Sequence, residues 1–141
     1  MKINRVDIRQ LKNVNRLFTL QGICLPSDNP YDTNTGFWWT ATDASNRDIA
    51  FAGLVYSSRW SDCGYLCRAG VVPSSRGQGI QKKLIRVRIR QAKAVEMKWL
   101  VTDTHDNPAS SNSLISCGFK LFNPSVPWGA KGTLYWRLKL E

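Results

Sequence analysis

The sequence predicts an α/β fold on a mixed central sheet, and three observations carry that prediction. Strand-like and helix-like runs follow one another in the order β-α-loop-β-β-β-α-β-α-β-β along 141 residues. Three consecutive strands joined by short turns pair antiparallel, whereas the strand–helix–strand unit after them makes its two strands parallel, so both pairings occur in one sheet. Between that third strand and the second long helix stands "VVPSSRGQGIQKKL" (71–84), where an apolar run meets a proline, a serine pair and Arg-Gly-x-Gly. Glycine there leaves the main chain bare at a helix start.

The elements justify themselves in order. "KINRVDI" (2–8) alternates apolar and polar residues as a half-buried strand does. "RQLKNVNRLFTLQGICLP" (9–26) places Leu11, Val14, Leu17, Phe18 and Leu20 at helical spacing, with Gly22 and Pro26 ending the helix. "SDNPYDTNTG" (27–36) is turn-forming throughout. "FWWTATD" and "IAFAGLVYSS" read as strands around an "ASNR" hairpin, "RWSDCG" as a turn, and 65–72 as one continuous strand. A helix then runs to about Val95, "KWLVTDT" forms a strand, "PASSNSLISC" a short helix, and "FKLFN" and "TLYWRLKL" the closing strands. No repeat or linker interrupts residues 1–141, which predicts a single domain.

Composition narrows the function classes. An apolar share of 43% with six tryptophans argues against disorder. No apolar stretch spans a bilayer, and "MKINRVDIRQ" lacks a signal peptide's apolar segment, so a cytoplasmic protein without membrane contact is expected. Cys24, Cys63, Cys67 and Cys117 form no C-x-x-C pair, and with one histidine no zinc set is expected; reduced thiols are. Twenty Lys and Arg against ten Asp and Glu give a net charge of +10, which favours polyanionic partners such as phosphorylated cofactors, nucleic acids or acidic proteins.

The glycine segment fits neither a Walker A loop nor a dinucleotide fingerprint, whose third glycine would be Lys82. What its residues make is an anion site: free N–H groups at a helix N-terminus, glycines that admit close approach, and Arg76 for a further charged contact.

The same segment resembles the acetyl-CoA-binding signature of the GCN5-related N-acetyltransferase (GNAT) family, V-x-P-x-x-R/Q-x-x-G-x-G/A, through Val71, Pro73, Arg76 and Gly79. "NPASSNSLISCGF" (107–119) resembles that family's second cofactor segment through Asn107, Ser110, Gly118 and Phe119. The resemblance implies helices on both faces of the sheet, and a splayed pair of parallel strands with the pantetheine arm of acetyl-CoA between them. Main-chain groups of Ala69, Gly70 and Val71 would then hold that arm, one N–H serving as oxyanion donor. Gly77, Gln78, Gly79, Ile80, Gln81 and Lys82 would take the pyrophosphate with Arg76, and Asn107 and Ser110 would bond the cofactor or cap the short helix. The implied activity is direct attack of an amine acceptor, whether protein, small molecule or nucleotide, on the thioester. Monomer and homodimer both occur in such a family.

Three departures mark the match, one in the cofactor signature and two in its chemistry half. Gln81 replaces the last small residue of the signature, Leu114 stands where a general-acid tyrosine is frequent, and Thr102 where some members carry a glutamate. His105, the sole histidine, is the candidate base, Ser110 a candidate donor, and Asp28 and Asp32 candidate contacts for a cationic substrate. A thiol of pKa about 8.5 leaves readily enough that acid assistance is helpful rather than obligatory.

On the long helix, Lys82, Lys83, Arg86, Arg90 and Lys93 share one sector of about 100°. They read as a solvated face, as a contact to the cofactor's 3′-phosphate through Lys82 or Lys83, or as a surface for nucleic acid or an acidic protein. A polyanion-binding module with weak catalysis is therefore the alternative function. Trp38, Trp39, Trp99 and Trp136 are expected in the core; Trp60 and Trp128, in loops, are the ones placed for substrate contact.

Overall fold

The computed structural model describes residues 1–141. In chain order the elements are β1 (Lys2–Val6), α1 (Leu11–Cys24), β2 (Phe37–Thr42), β3 (Asp48–Tyr56), β4 (Cys63–Tyr65), β5 (Ala69–Val71), α2 (Ile80–Ala94), β6 (Trp99–Thr104), α3 (Pro108–Ser116), β7 (Lys120–Phe122) and β8 (Leu134–Lys139). The sheet order is β1-β2-β3-β4-β6-β8-β7, with β5 on β3. Only the β4–β6 pair is parallel. This is the mixed α/β sheet that the sequence predicts.

The segment expected as one strand over 65–72 is broken in two. On β3, three steps separate Ala52 from Val55; opposite them, four steps separate Tyr65 from Ala69. That extra residue is a bulge. Before it, β4 runs beside β6, ending with Leu66 N–H donating to the Val101 carbonyl at 3.0 Å. After it, β5 stays on β3 and has no strand on its other edge. The Thr102 hydroxyl donates to the Leu66 carbonyl at 2.8 Å, so a side chain takes the position of the next ladder bond.

Alternating residues of β2 and β3 feed two cores. Trp38 and Phe51 face α1 and pack on Leu17, Leu20 and Cys24. Trp39, Ala41, Ala50, Ala52 and Leu54 face α2 and pack on Ile80, Leu84 and Ile85. Of the expected core tryptophans, Trp38, Trp39 and Trp136 are buried and Trp99 is half-buried.

The apolar reading of α1 needs correction. Leu11 and Phe18 are 73% and 60% exposed, and the inward face is Asn13, Leu17, Leu20, Gln21 and Cys24. Its polar members are tethers. Asn13 Nδ2 donates to the Asp7 carbonyl at 3.0 Å. Gln21 brackets Tyr31, accepting its N–H at 2.7 Å and donating to its carbonyl at 3.3 Å, which fixes the loop between α1 and β2.

Gly70 joins the two layers. A Cβ there would stand 2.5 Å from Cys24 Cβ and 3.1 Å from the Phe51 ring. Gly70→Val should therefore cost about 1–3 kcal/mol by overpacking, read as a lowered midpoint in thermal or urea unfolding; an unchanged midpoint contradicts this packing.

Candidate active site

The glycine segment forms an open nest at the start of α2. Gly77 and Gly79 adopt φ of +79° and +75°, left-handed values that strain any residue with a side chain. The N–H groups of Gly77, Gln78, Gly79, Ile80, Gln81 and Lys82 donate to no protein atom; the first amide of this run to find an acceptor is that of Lys83, on the Gly79 carbonyl at 3.3 Å. Six adjacent donors stand at the positive end of a 15-residue helix with no acid in its first turn, a chemistry suited to an anion. Beside them lies a cavity of about 570 Å³, lined from α1 by Cys24, from β5 by Ala69, Gly70 and Val71, and from α3 by Asn107, Ala109, Ser110 and Ser113. No side chain plugs it.

The free edge of β5 borders this cavity. Arg68 accepts from Gly53 N–H at 2.8 Å and Val72 donates to the Ile49 carbonyl at 2.9 Å. By the alternation of an antiparallel ladder, Gly70 also turns its polar groups to β3, so Ala69 and Val71 turn theirs to the cleft. The Val71 carbonyl accepts Arg76 Nε at 3.0 Å, which braces the loop. Asn107 caps α3, its Oδ1 accepting Ser110 N–H at 3.1 Å, with Pro108 at the first helical position. The Ser110 hydroxyl lines the cleft without a protein partner.

Where β4 and β6 part, a second cavity of about 410 Å³ continues the first; Leu66, Cys67, Ala69, Thr102, Asp103 and His105 are among its walls. His105 is half-exposed on its rim, Nδ1 standing 3.4 Å from Thr133 Oγ1 and Nε2 3.5 Å from Asp106. Asp28 also reaches this rim and pairs with Arg68 at 3.7 Å. Asp32 lines neither cavity; its carboxylate accepts Asn34 N–H at 2.9 Å within its own turn. Thr102 is committed to the Leu66 carbonyl, and Leu114 is buried in the core. Lys82, Lys83, Arg86, Arg90 and Lys93 are all exposed, and none pairs with an acid.

The opposite face of the parting strands brings Trp128 and Trp60, which the sequence singles out, together with Asp103 and Tyr65, which it does not. Asp103 Oδ2 accepts both Tyr65 Oη–H at 2.7 Å and Trp128 Nε1–H at 2.8 Å. Burial first, and the Asp103 charge second, raise the Tyr65 pKa far above its ordinary value, so this phenol stays a donor. Trp128 stands edge-on to Tyr65, Tyr135 and Trp60 at 6.4, 4.6 and 6.0 Å between centroids, and Arg59 lies over its ring at 4.9 Å. A cavity of about 310 Å³ opens among Tyr31, Tyr56, Tyr65, Arg59 and Trp128. Asp103 thus borders the cleft on one side and holds the aromatic wall on the other. No local pattern announces this, because its partners lie 38 and 25 residues away.

The sequence profile of the acetyltransferase (GNAT) family matches residues 8–119. The chain belongs to the GNAT acetyltransferase family. Its activity is acetyl-CoA-dependent N-acyl transfer, with acetyl-CoA as cosubstrate. The fold agrees with solved members. An IAA acetyltransferase from Bacillus cereus superposes with a TM-score of 0.76 at 19% identity, covering 99% of both chains. An acetyltransferase from Bacillus subtilis in complex with CoA gives 0.75 at 17%, again over 99% of both. A phosphinothricin acetyltransferase from Sinorhizobium meliloti in complex with AcCoA gives 0.74 at 15%, over 99% of this chain and 88% of the other. Among curated proteins none matches. No helix is long and apolar enough to cross a membrane.

Cys67, on the cleft wall, and Cys63, buried at the start of β4, are free thiols whose pKa burial pushes up to about 11. At pH 8 only about one in a thousand of each is thiolate. Both should resist iodoacetamide at pH 8 and become reactive towards pH 11, read by peptide mass spectrometry; fast labelling at pH 8 contradicts the burial.

Proposed function

We propose that this protein acetylates a primary amine by direct attack on acetyl-CoA, donor and acceptor meeting from opposite faces where β4 and β6 part. The observation that carries this is the run of unbonded amides over 77–82, opening on a cavity that continues along the free edge of β5. Those amides, with Arg76 and Lys82, take the pyrophosphate, and the open polar groups of Ala69 and Val71 hold the pantetheine arm. Acetyl-CoA supplies an activated acetyl group; the protein positions its carbonyl against a main-chain donor at the bulge, a contact worth about 3 kcal/mol when preorganised. Lys83, exposed at the same helix end, would meet a further phosphate.

On the acceptor side, Asp103 presents its uncommitted Oδ1 to an ammonium group, and the aromatic wall of Tyr31, Tyr65 and Trp128 packs on the carbon next to it. Stripping an amine of pKa about 10.4 at neutral pH costs about 4–5 kcal/mol. An anionic Asp103 gathers the cation, and the proton leaves through water to His105 on the rim. Asp28, tied to Arg68, shapes that rim; Asp32 takes no part. A second reading concerns Arg86, Arg90 and Lys93 alone: exposed and without acidic partners, they form a surface that attracts nucleic acid or an acidic protein alongside the transfer activity.

Two variants separate the halves of the site. Gly79→Trp fills the nest, and calorimetry should show at least a ten-fold loss of acetyl-CoA affinity with the fold intact by circular dichroism. Asp103→Asn should leave that affinity unchanged and lower amine turnover, followed by thiol release, about 100-fold in kcat/KM. A Gly79→Trp protein that binds acetyl-CoA as the parent does contradicts the donor site; an Asp103→Asn protein with parental turnover contradicts the acceptor site.

A further inference from the structure

Arg88 lies on α2 in the centre of the face that packs against the sheet and is 3% exposed. Its Nε donates to the Leu84 carbonyl at 3.1 Å and its Nη1 to the Gly53 carbonyl at 3.2 Å, just below the bulge. No carboxylate pairs with it. No fully enclosed side-chain nitrogen or oxygen in the protein lacks a hydrogen bond, whereas Nη2 of Arg88 has none. Nη2 is therefore the edge of the guanidinium that opens onto the cleft between β4 and β6, which Arg88 lines.

Holding the Gly53 carbonyl asks only for a neutral donor. A buried charge without a counterion costs several kcal/mol. Burial pulls the Arg88 pKa down to about 10, with Cys67 and Cys117 opposing that shift, so the group is still a cation at neutral pH. The other charged and titratable groups around the cleft do not neutralise it: Asp28 is paired with Arg68, Asp103 is turned to Tyr65 and Trp128, burial keeps Cys67 protonated, and His105 brings no negative charge. An anion must come from the ligand.

Its position selects which anion. Arg88 is nine residues beyond Gly79, about 13 Å along the helix from the nest. That lies within the reach of a pantetheine arm whose phosphates sit in the nest. Leu114, on the same cleft, has no proton to give a leaving group.

Building on the donor site proposed above, we infer that Arg88 is the electrostatic partner of the departing CoA sulfur. The amine lone pair forms the C–N bond to the acetyl carbon, and the C–S bond breaks with its electron pair passing to sulfur. The ammonium proton leaves to water on the acceptor side. The thiolate rests against Nη2 until solvent protonates it, so the charge is met by a fixed cation in a cleft where Leu114 offers no proton.

The probe is CoA itself, bound to the full chain and titrated by thiolate absorbance near 240 nm. In the parent, bound CoA should ionise at least about one pH unit below the free thiol value of about 8.5. Arg88→Gln keeps a donor for the Gly53 carbonyl without the charge; it should bind acetyl-CoA normally, return the CoA titration to its free value and lose at least ten-fold in turnover at pH 7. Arg88→Lys should recover part of both. A parent complex in which bound CoA titrates at or above its free value overturns the inference whether or not the variants fold, as does an Arg88→Gln protein with parental titration. A parent that binds no CoA at all removes the donor site itself, a separate result.

Discussion

One surplus residue organises this molecule. Between β3 and the strand facing it, four steps oppose three, and the strand can stay with β3 only by leaving β6. The sheet then opens a wedge beside Leu66, Cys67 and Arg68. Around that wedge the other parts fall into place: the polar edge of β5, the α2 nest at one end, and Asp103 on the far wall. A regular ladder would have satisfied the same main-chain groups and left a continuous, inert sheet. The bulge exchanges ladder bonds for a cavity, and Thr102, Gly53 and Arg88 satisfy the groups that the ladder gives up.

Electrostatics run one way across the wedge. The donor side presents six free amides, the positive end of α2, Arg76, Lys82 and the buried Arg88; the acceptor side presents Asp103 ringed by aromatic groups. On the proposed reading a polyphosphate is drawn to the first and a cationic amine to the second, so each substrate is steered to its own face. A large net positive charge serves the first task and leaves the second to local geometry.

The element order and the nest were legible because both rest on local chemistry: period, proline, glycine and helix start. Asn107 was readable as a cap for the same reason. The bulge was not, since Leu66, Cys67 and Arg68 look like any strand residues and the count that defines a bulge involves the partner strand. Phe18 misled because an apolar residue at helical spacing need not face inward when Asn13 and Gln21 set the rotation of α1 through their tethers. Asp103 was not among the candidates, because its partners Tyr65 and Trp128 come from distant parts of the chain. Arg88 could have been found: it sits on the apolar side of α2, four residues from both Leu84 and Ala92, where no solvated arginine belongs.

The most direct measurement is residue-resolved amide hydrogen exchange with and without CoA. The amides of 77–82 should exchange freely in the protein alone and slow at least ten-fold at saturating CoA, while β1 is unchanged. Amides already protected without CoA, or saturation by CoA that leaves their exchange fast, would show that the nest does not hold the pyrophosphate.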